Sequence, residues 1–191
     1  LPYLVSYPYG CVEQTMSRFL PSVLTAKTLK GLGISLEEII RRRQLPLAQG
    51  DTLHPTACLS DAVLRDMIEK GKQRLYDFQH GDGGWGWWKN DPTNLYMTSY
   101  VLFGLNQARQ AGLDIDSSRI HQAGQFVWRQ FDALHLEEDR QLGNHIDGNR
   151  LAYMLYSLSS LPEMKNRILE LKKAKMQKGR GVLGVMYFLY D

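Results

Sequence analysis

The chain has 191 residues, of which 43% are hydrophobic and 23% charged, as in ordinary globular proteins with a buried core. Its formal net charge of +3 gives no indication of nucleic-acid binding, and no run approaches the roughly 20 apolar residues of a membrane span. Two cysteines, Cys11 and Cys58, form neither a disulfide framework nor a common zinc site, so no metal is predicted.

Short segments rich in glycine and polar residues divide the chain at 31–33, 49–52, 81–92, 112–117 and 143–148. Between them, apolar residues recur at helical spacing. The predicted buried faces are, in chain order, Met16, Phe19, Leu20, Val23 and Leu24; Leu59, Val63, Met67, Leu75 and Phe78; Thr98, Val101, Leu102, Leu105 and Ala108; Ile120, Ala123, Val127 and Phe131; and Leu151, Leu155, Leu158 and Leu161. Seven or eight helices and no alternating strand pattern predict an all-α protein, either a bundle or an α/α array.

Helix start signals support this division. Ser35 with Glu38 has the pattern of a capping box, and Asn94, Ser117 and Asp147 are candidate N-caps. Pro162 directly after Leu161 predicts a boundary between two helices.

The segment from Pro8 to Thr15 carries the most chemistry. Cys11 stands three residues before Gln14, so a tight turn would bring its sulfur to the Gln14 carboxamide, and Gly10 favours such a turn. Free N–H groups at the start of the following helix could stabilise the oxyanion formed when the thiol attacks. Loss of ammonia would leave a thioester. Spacing alone leaves two other interpretations open, a buried free cysteine and a catalytic cysteine with a distant histidine.

The segment resembles the thioester motif of the alpha-2-macroglobulin and complement family, P-x-G-C-x-E-Q followed by a helix. Pro8, Gly10, Cys11, Glu13 and Gln14 match that motif. The resemblance continues at Pro21, in the Asp-Gly-Gly-Trp loop at 82–85 and in the helix at 97–102, and it covers at least residues 1–135. Val12 and the low cysteine count are similar to the bacterial branch of the family.

The resemblance implies an α/α toroid, incomplete in this chain, with residues 1–191 forming a fragment of a much larger multidomain protein. It implies a Cys11–Gln14 thioester, supported by Gly10 and Glu13, that acylates lysine amines or hydroxyls of a target protease after proteolysis elsewhere in the parent. Such a protein is a single-turnover covalent inhibitor without a cofactor. The bacterial branch further implies a periplasmic or secreted, membrane-anchored lipoprotein, partnered by other domains of the parent and by a penicillin-binding protein.

Two sets of residues near the motif have weaker predicted roles. A thioester must be kept from water, and Tyr7 and Tyr9 are candidates for an apolar cover. In part of the family a histidine intercepts the thioester and redirects it to hydroxyls; His135 and His145 are the candidates for that residue, and surface histidines are the alternative.

The glycine- and tryptophan-rich loop at 83–88 allows other functions. Its aromatic residues could bind a ligand, and the loop resembles the repeats of terpenoid cyclases and prenyltransferases, which share the toroid. The aspartate-rich acid motif or zinc site of such enzymes is missing from the sequence. A non-catalytic binding module is the third hypothesis, and a structural role for the tryptophans, closing the toroid or fixing a loop beside Cys11, is the preferred interpretation.

Overall fold

The structure of the protein is a computed structural model that describes residues 10–43, 60–140 and 148–178. These ranges contain seven helices and no strand, which confirms the all-α class. The helices are α1 (Val12–Leu32), α2 (Leu36–Arg43), α3 (Asp61–Phe78), α4 (Leu95–Gln110), α5 (Ser117–Arg140), α6 (Gly148–Ser159) and α7 (Pro162–Lys178). The predictions on the 49–52 segment, Cys58, Leu59 and Asp147 fall outside the described residues.

Helix α4 is the centre of the packing and contacts α1, α5 and α6. Helix α1 also packs against α3, and α6 against α7. All five residues of the predicted α4 face are buried, as are all four of the predicted α5 face and Leu155, Leu158 and Leu161. Gly104 brings α1 and α4 close together, because the end of the Met16 side chain occupies the space that a Cβ would take.

Several predicted helix starts are confirmed by the hydrogen bonds of their capping residues. Ser35 Oγ accepts a hydrogen bond from the Glu38 N–H at 3.1 Å, and Asn94 caps α4 by accepting from the Met97 N–H at 3.0 Å. The boundary at Pro162 is confirmed, since α7 begins there. Ser60, which the sequence reading missed, caps α3 through the Val63 N–H at 3.2 Å.

Three details of the prediction were wrong. The first half of α3 buries Leu64 and Ile68 instead of Val63 and Met67, because both pairs have the same helical spacing, whereas the predicted Leu75 and Phe78 are buried. Leu24 lies away from the core and is 43% exposed. The capping side chain before α5 belongs to Asp116, whose Oδ1 accepts from the Ser118 N–H at 2.8 Å, so Ser117 is already helical.

Candidate functional site

Cys11 is the N-cap of α1, in extended conformation with φ −65° and ψ 175°. Its carbonyl accepts hydrogen bonds from both the N–H and the Oγ1 of Thr15, each at 3.0 Å. The residue is 8% exposed, and its thiol is free. The cysteine is thus held at the junction between the preceding loop and the first turn of the helix.

Gln14 folds back over that first turn. Its side-chain Oε1 accepts a hydrogen bond from the Cys11 backbone N–H at 3.1 Å. The Cys11 side chain in turn faces the Gln14 N–H, so the two residues have the reciprocal arrangement of a capping box. The thiol and the carboxamide therefore share one side of one turn.

Gly10 leaves the space that this arrangement needs. A Cβ at Gly10 would lie 3.0 Å from Gln14 Cβ and 3.1 Å from Gln14 Oε1, which is tighter than most contacts of a Cβ atom, so the Gln14 side chain would have to shift. The absence of a side chain at Gly10 therefore allows the Gln14 side chain to approach the backbone closely, independently of the Gly10 backbone angles.

Arg74 holds the other side of Gly10. From α3 it donates to the Gly10 carbonyl through Nη2 at 2.7 Å and Nε at 3.2 Å, and its guanidinium lies 4.7 Å from the centre of the Phe78 ring. Sequence reasoning missed Arg74, because the contact spans 64 positions and the residue has no motif around it. Only the fold brings it to the site.

The tryptophan loop supports the start of α1. The Trp87 carbonyl accepts a hydrogen bond from the Val12 N–H at 2.8 Å. Trp85 is fully buried; its Nε1 donates to the Leu75 carbonyl at 2.7 Å and its backbone N–H to Thr98 Oγ1 at 3.0 Å. Trp87 and Trp88 are 40% and 54% exposed. The loop thus joins α3 and α4 to the Cys11–Gln14 turn.

The predicted oxyanion role of the free N–H groups at the start of α1 remains a prediction. The Val12 N–H, the first of α1, is already bonded to Trp87. The N–H that reaches the Gln14 carboxamide oxygen belongs to Cys11, one residue earlier. The N-cap thus supplies both the sulfur and a donor.

The remaining predicted residues are only partly placed. Glu13 is exposed in the first turn of α1, where a negative charge is favourable to the helix dipole. His135 lies in the last part of α5, where only the backbone is described. Tyr7, Tyr9 and His145 lie outside the described residues. The roles assigned to all of these residues remain predictions.

An aromatic surface on α4 and α6, which sequence reasoning missed, comprises Tyr96, Tyr100, Phe103, Tyr153 and Tyr156. Tyr96 stacks on Tyr153 with ring centres 5.2 Å apart, and Phe103 contacts Tyr156 at 5.3 Å. Burial and the neighbouring phenols raise the pKa of Tyr153, and burial raises that of Tyr100, to which the charge of Glu13 adds. The surface therefore adjoins the first turn of α1.

Within the described ranges, no three His, Cys, Asp or Glu side chains are grouped as metal ligands. No helix in those ranges is long and apolar enough to cross a membrane.

Comparison with known proteins decides the family. Residues 1–149 match the family described as the A-macroglobulin TED domain. The chain belongs to this thioester-domain family of the alpha-2-macroglobulins. It is 34% identical over 127 residues to an alpha-2-macroglobulin of Thermotoga maritima and 31% identical over 128 residues to that of Escherichia coli, covering 66% of this chain and 6% of each relative. The predicted resemblance to the bacterial branch is confirmed.

A more distant relative and two solved structures agree. Thioester-containing protein 1 allele R1 of Anopheles gambiae is 23% identical over 186 residues, covering 94% of this chain and 12% of that protein. Native E. coli alpha-2-macroglobulin, from domain MG7 to its C-terminus, superposes with a TM-score of 0.53 at 25% identity, covering 88% of this chain and 25% of the other. Salmonella alpha-2-macroglobulin reacted with methylamine superposes with a TM-score of 0.54 at 24% sequence identity, covering 87% of this chain and 10% of the other. The predicted α/α toroid is confirmed.

Proposed function

We propose that this thioester domain carries a covalent bond between Cys11 Sγ and Gln14 Cδ, and that it serves a protease-trapping protein. The observation that supports this most directly is the 3.1 Å hydrogen bond between Gln14 Oε1 and the Cys11 N–H, which holds the carboxamide over the cysteine. In bond formation the sulfur adds to Cδ, the thiol proton passes to the amide nitrogen, and ammonia leaves.

The bond is an acyl donor for one reaction per molecule. When an amine of a target attacks Gln14 Cδ, the new C–N bond forms, the C–S bond breaks, and the Cys11 thiolate takes up the proton that the amine loses. The target remains attached through an amide, and a hydroxyl would give an ester in the same way. The domain is therefore proposed as a single-turnover inhibitor and not as a turnover enzyme.

The chain spans 6% of the length of the bacterial relatives, so trapping belongs to the parent protein. We expect cleavage elsewhere in the parent to bring the thioester and the target protease together. A periplasmic or secreted lipoprotein parent, its other domains as partners and a penicillin-binding protein partner remain proposals from the family resemblance. Membership of the family favours this function over that of a terpenoid cyclase-like enzyme.

Intact mass of freshly purified protein tests the proposal. We expect a mass lower than that of the sequence by one ammonia, and we expect methylamine to add once and to release one titratable thiol. The Cys11→Ala and Gln14→Ala variants should show full sequence mass and no methylamine-dependent release. Cys58 is a constant background in both variants, and Gln14→Ala has the unacylated Cys11 thiol in addition. Full mass in the fresh wild-type protein, without thiol release, would reject the thioester and favour a binding module with the exposed Trp87 and Trp88 at its surface.

A further inference from the structure

We propose that the Gly10–Cys11 peptide unit is the oxyanion donor of the thioester chemistry, and that Arg74 is the residue that positions and polarises it. This inference rests on the proposed function. It adds a role for a backbone group and for a side chain from another helix.

The Cys11 N–H is identified as the oxyanion donor because it already binds Gln14 Oε1, the atom on which the negative charge would develop. Addition of sulfur or of an amine to Gln14 Cδ places negative charge on Gln14 Oε1, and the Cys11 N–H donates to that oxygen at 3.1 Å. A fixed backbone donor at the site of developing charge is the arrangement that stabilises acyl-transfer intermediates. The adjacent Val12 N–H is bonded to the Trp87 carbonyl, which fixes the helix start but leaves that N–H without this role.

Arg74 acts on the opposite edge of the same peptide unit. The Gly10 carbonyl and the Cys11 N–H belong to one amide plane, and Arg74 donates two hydrogen bonds to the carbonyl, at 2.7 Å and 3.2 Å. Two donors from a rigid guanidinium fix the orientation of that plane. A cation on the carbonyl oxygen also draws electron density through the amide, so the N–H becomes a stronger donor.

The chemistry then follows without any further group. In closure, the sulfur–carbon bond forms while Gln14 Oε1 gains charge beside the Cys11 N–H, and the intermediate collapses as the thiol proton passes to the amide nitrogen and ammonia leaves. In aminolysis, the amine adds to the same carbon, the charge again develops on Gln14 Oε1 beside the Cys11 N–H, and the Cys11 thiolate departs and takes up the proton that the amine loses. Arg74 should therefore affect both steps in the same direction.

The chain contains a matched control for this contact. Arg119 of α5 donates to the Tyr76 carbonyl at 3.0 Å and lies 4.5 Å from the centre of the Tyr76 ring, so it also joins two elements through a carbonyl and an aromatic face. It bonds Gln79 as well, and it has no contact with the Gly10–Cys11 unit. Arg119 also lies 3.7 Å from Asp116 Oδ2, so its loss reports the stability cost of removing such an arginine, with its ion pair, at a distance from Cys11.

The experiment compares Arg74→Lys and Arg74→Gln with Arg119→Lys and Arg119→Gln. Three quantities are measured: the fraction of protein lighter by one ammonia, the rate of methylamine-induced thiol release, and the thermal unfolding midpoint. We expect similar unfolding shifts in both pairs. Only the Arg74 variants should close the thioester incompletely or react on the order of tenfold more slowly. This is less than the loss of roughly 100- to 1,000-fold when a whole oxyanion donor is removed.

The conservative variant separates positioning from simple stability. Arg74→Lys keeps the charge but has no planar fork, so it should retain more closure and reactivity than Arg74→Gln. Arg74 variants that close fully and react at the wild-type rate or faster, or that lose no more than the Arg119 variants, would overturn the inference. Failure of the wild type itself to show the ammonia deficit would reject the proposed thioester instead, so the two outcomes are distinct.

Discussion

The Gln14 side chain loses conformational entropy when it folds back over the first turn of α1 to bind the Cys11 N–H. An exposed glutamine side chain that is fixed in one rotamer loses up to about 1.5–2 kcal/mol of conformational entropy. The hydrogen bond from the Cys11 N–H offsets part of that cost, and the space beside Gly10 avoids a steric penalty. Small changes at these positions should therefore affect the chemistry before they affect the fold.

The first prediction concerns Gly10. In a Gly10→Ala variant the new methyl group would lie 3.0 Å from Gln14 Cβ and 3.1 Å from its Oε1, so the carboxamide should be pushed off the Cys11 N–H. We expect most of the protein to show full sequence mass, without the ammonia deficit. Intact mass spectrometry of fresh protein measures this directly.

Gly81→Ala is the control for that variant, since Gly81 also lies outside the helices and a Cβ there would meet no atom within 4 Å. It should close the thioester as the wild type does. A Gly10→Ala protein with the complete ammonia deficit would show that the Gln14 side chain has another path to Cys11.

Among the described helices, α3 is the one that connects the core to the Cys11–Gln14 turn. It packs against α1 and carries Arg74 to the Gly10 carbonyl. Gly71 lies where the two helices meet, and a Cβ there would be 3.1 Å from Phe19 Cδ2 and 3.2 Å from Phe19 Cβ. Phe19 is fully buried, so it has little room to move.

The second prediction compares two helical glycines. Replacement of glycine by alanine in a helix interior gains up to about 1 kcal/mol from helix propensity, whereas overpacking of a core costs about 1–3 kcal/mol. Gly31→Ala, with no atom within 4 Å of the new Cβ, should be neutral or mildly stabilising. Gly71→Ala should be less stable than Gly31→Ala by about 1–3 kcal/mol in urea unfolding. Equal stability of the two variants would mean that α3 can move away from Phe19 freely.

Most of what could be predicted from sequence lies within one element, although the equally local caps at Ser60 and Asp116 were missed. The Cys11–Gln14 turn, the Asn94 cap and the buried face of α4 each depend on residues within a few positions of one another. Only the first half of the α3 face was predicted one residue off, because Val63 with Met67 and Leu64 with Ile68 have the same spacing and the partner helix selects between them. The bonds of Arg74 to Gly10 and of Trp87 to Val12 need the tertiary structure.

At the scale of the whole molecule, the accessibility of the site determines when it can react. Gln14 is exposed although Cys11 is buried, so we expect an incoming amine to reach the Gln14 side chain in this chain. In the parent we expect other domains to close that path until proteolysis.

The third prediction follows from this exposure. The isolated chain should react with methylamine without any protease, with one thiol released per molecule as followed by a thiol reagent. Tyr7→Ala and Tyr9→Ala variants test the predicted cover, since loss of a shielding ring should accelerate the release. A chain that stays inert to methylamine while it keeps the ammonia deficit would show that the cover lies within residues 1–191.

The last prediction concerns alkaline pH and the aromatic surface. Burial raises the folded-state pKa of Tyr153 above the ordinary value of about 10, so above that pH the unfolded chain loses a proton that the folded chain keeps. The contribution of Tyr153 to stability is therefore fully present below about pH 10 and declines as the pH rises further. The Cys11→Ala background is the suitable one, because it has no thioester for hydroxide to hydrolyse.

In that background, Tyr153→Phe removes the titrating hydroxyl and keeps the ring that stacks on Tyr96. Its free energy of unfolding, measured with urea at a series of pH values, should fall less steeply above pH 10 than that of the parent variant. Below pH 9 the difference between the two proteins should stay constant. Parallel curves throughout the alkaline range would show that Tyr153 titrates alike in the folded and unfolded chains, and that this surface opens to water without unfolding of the helices beneath it.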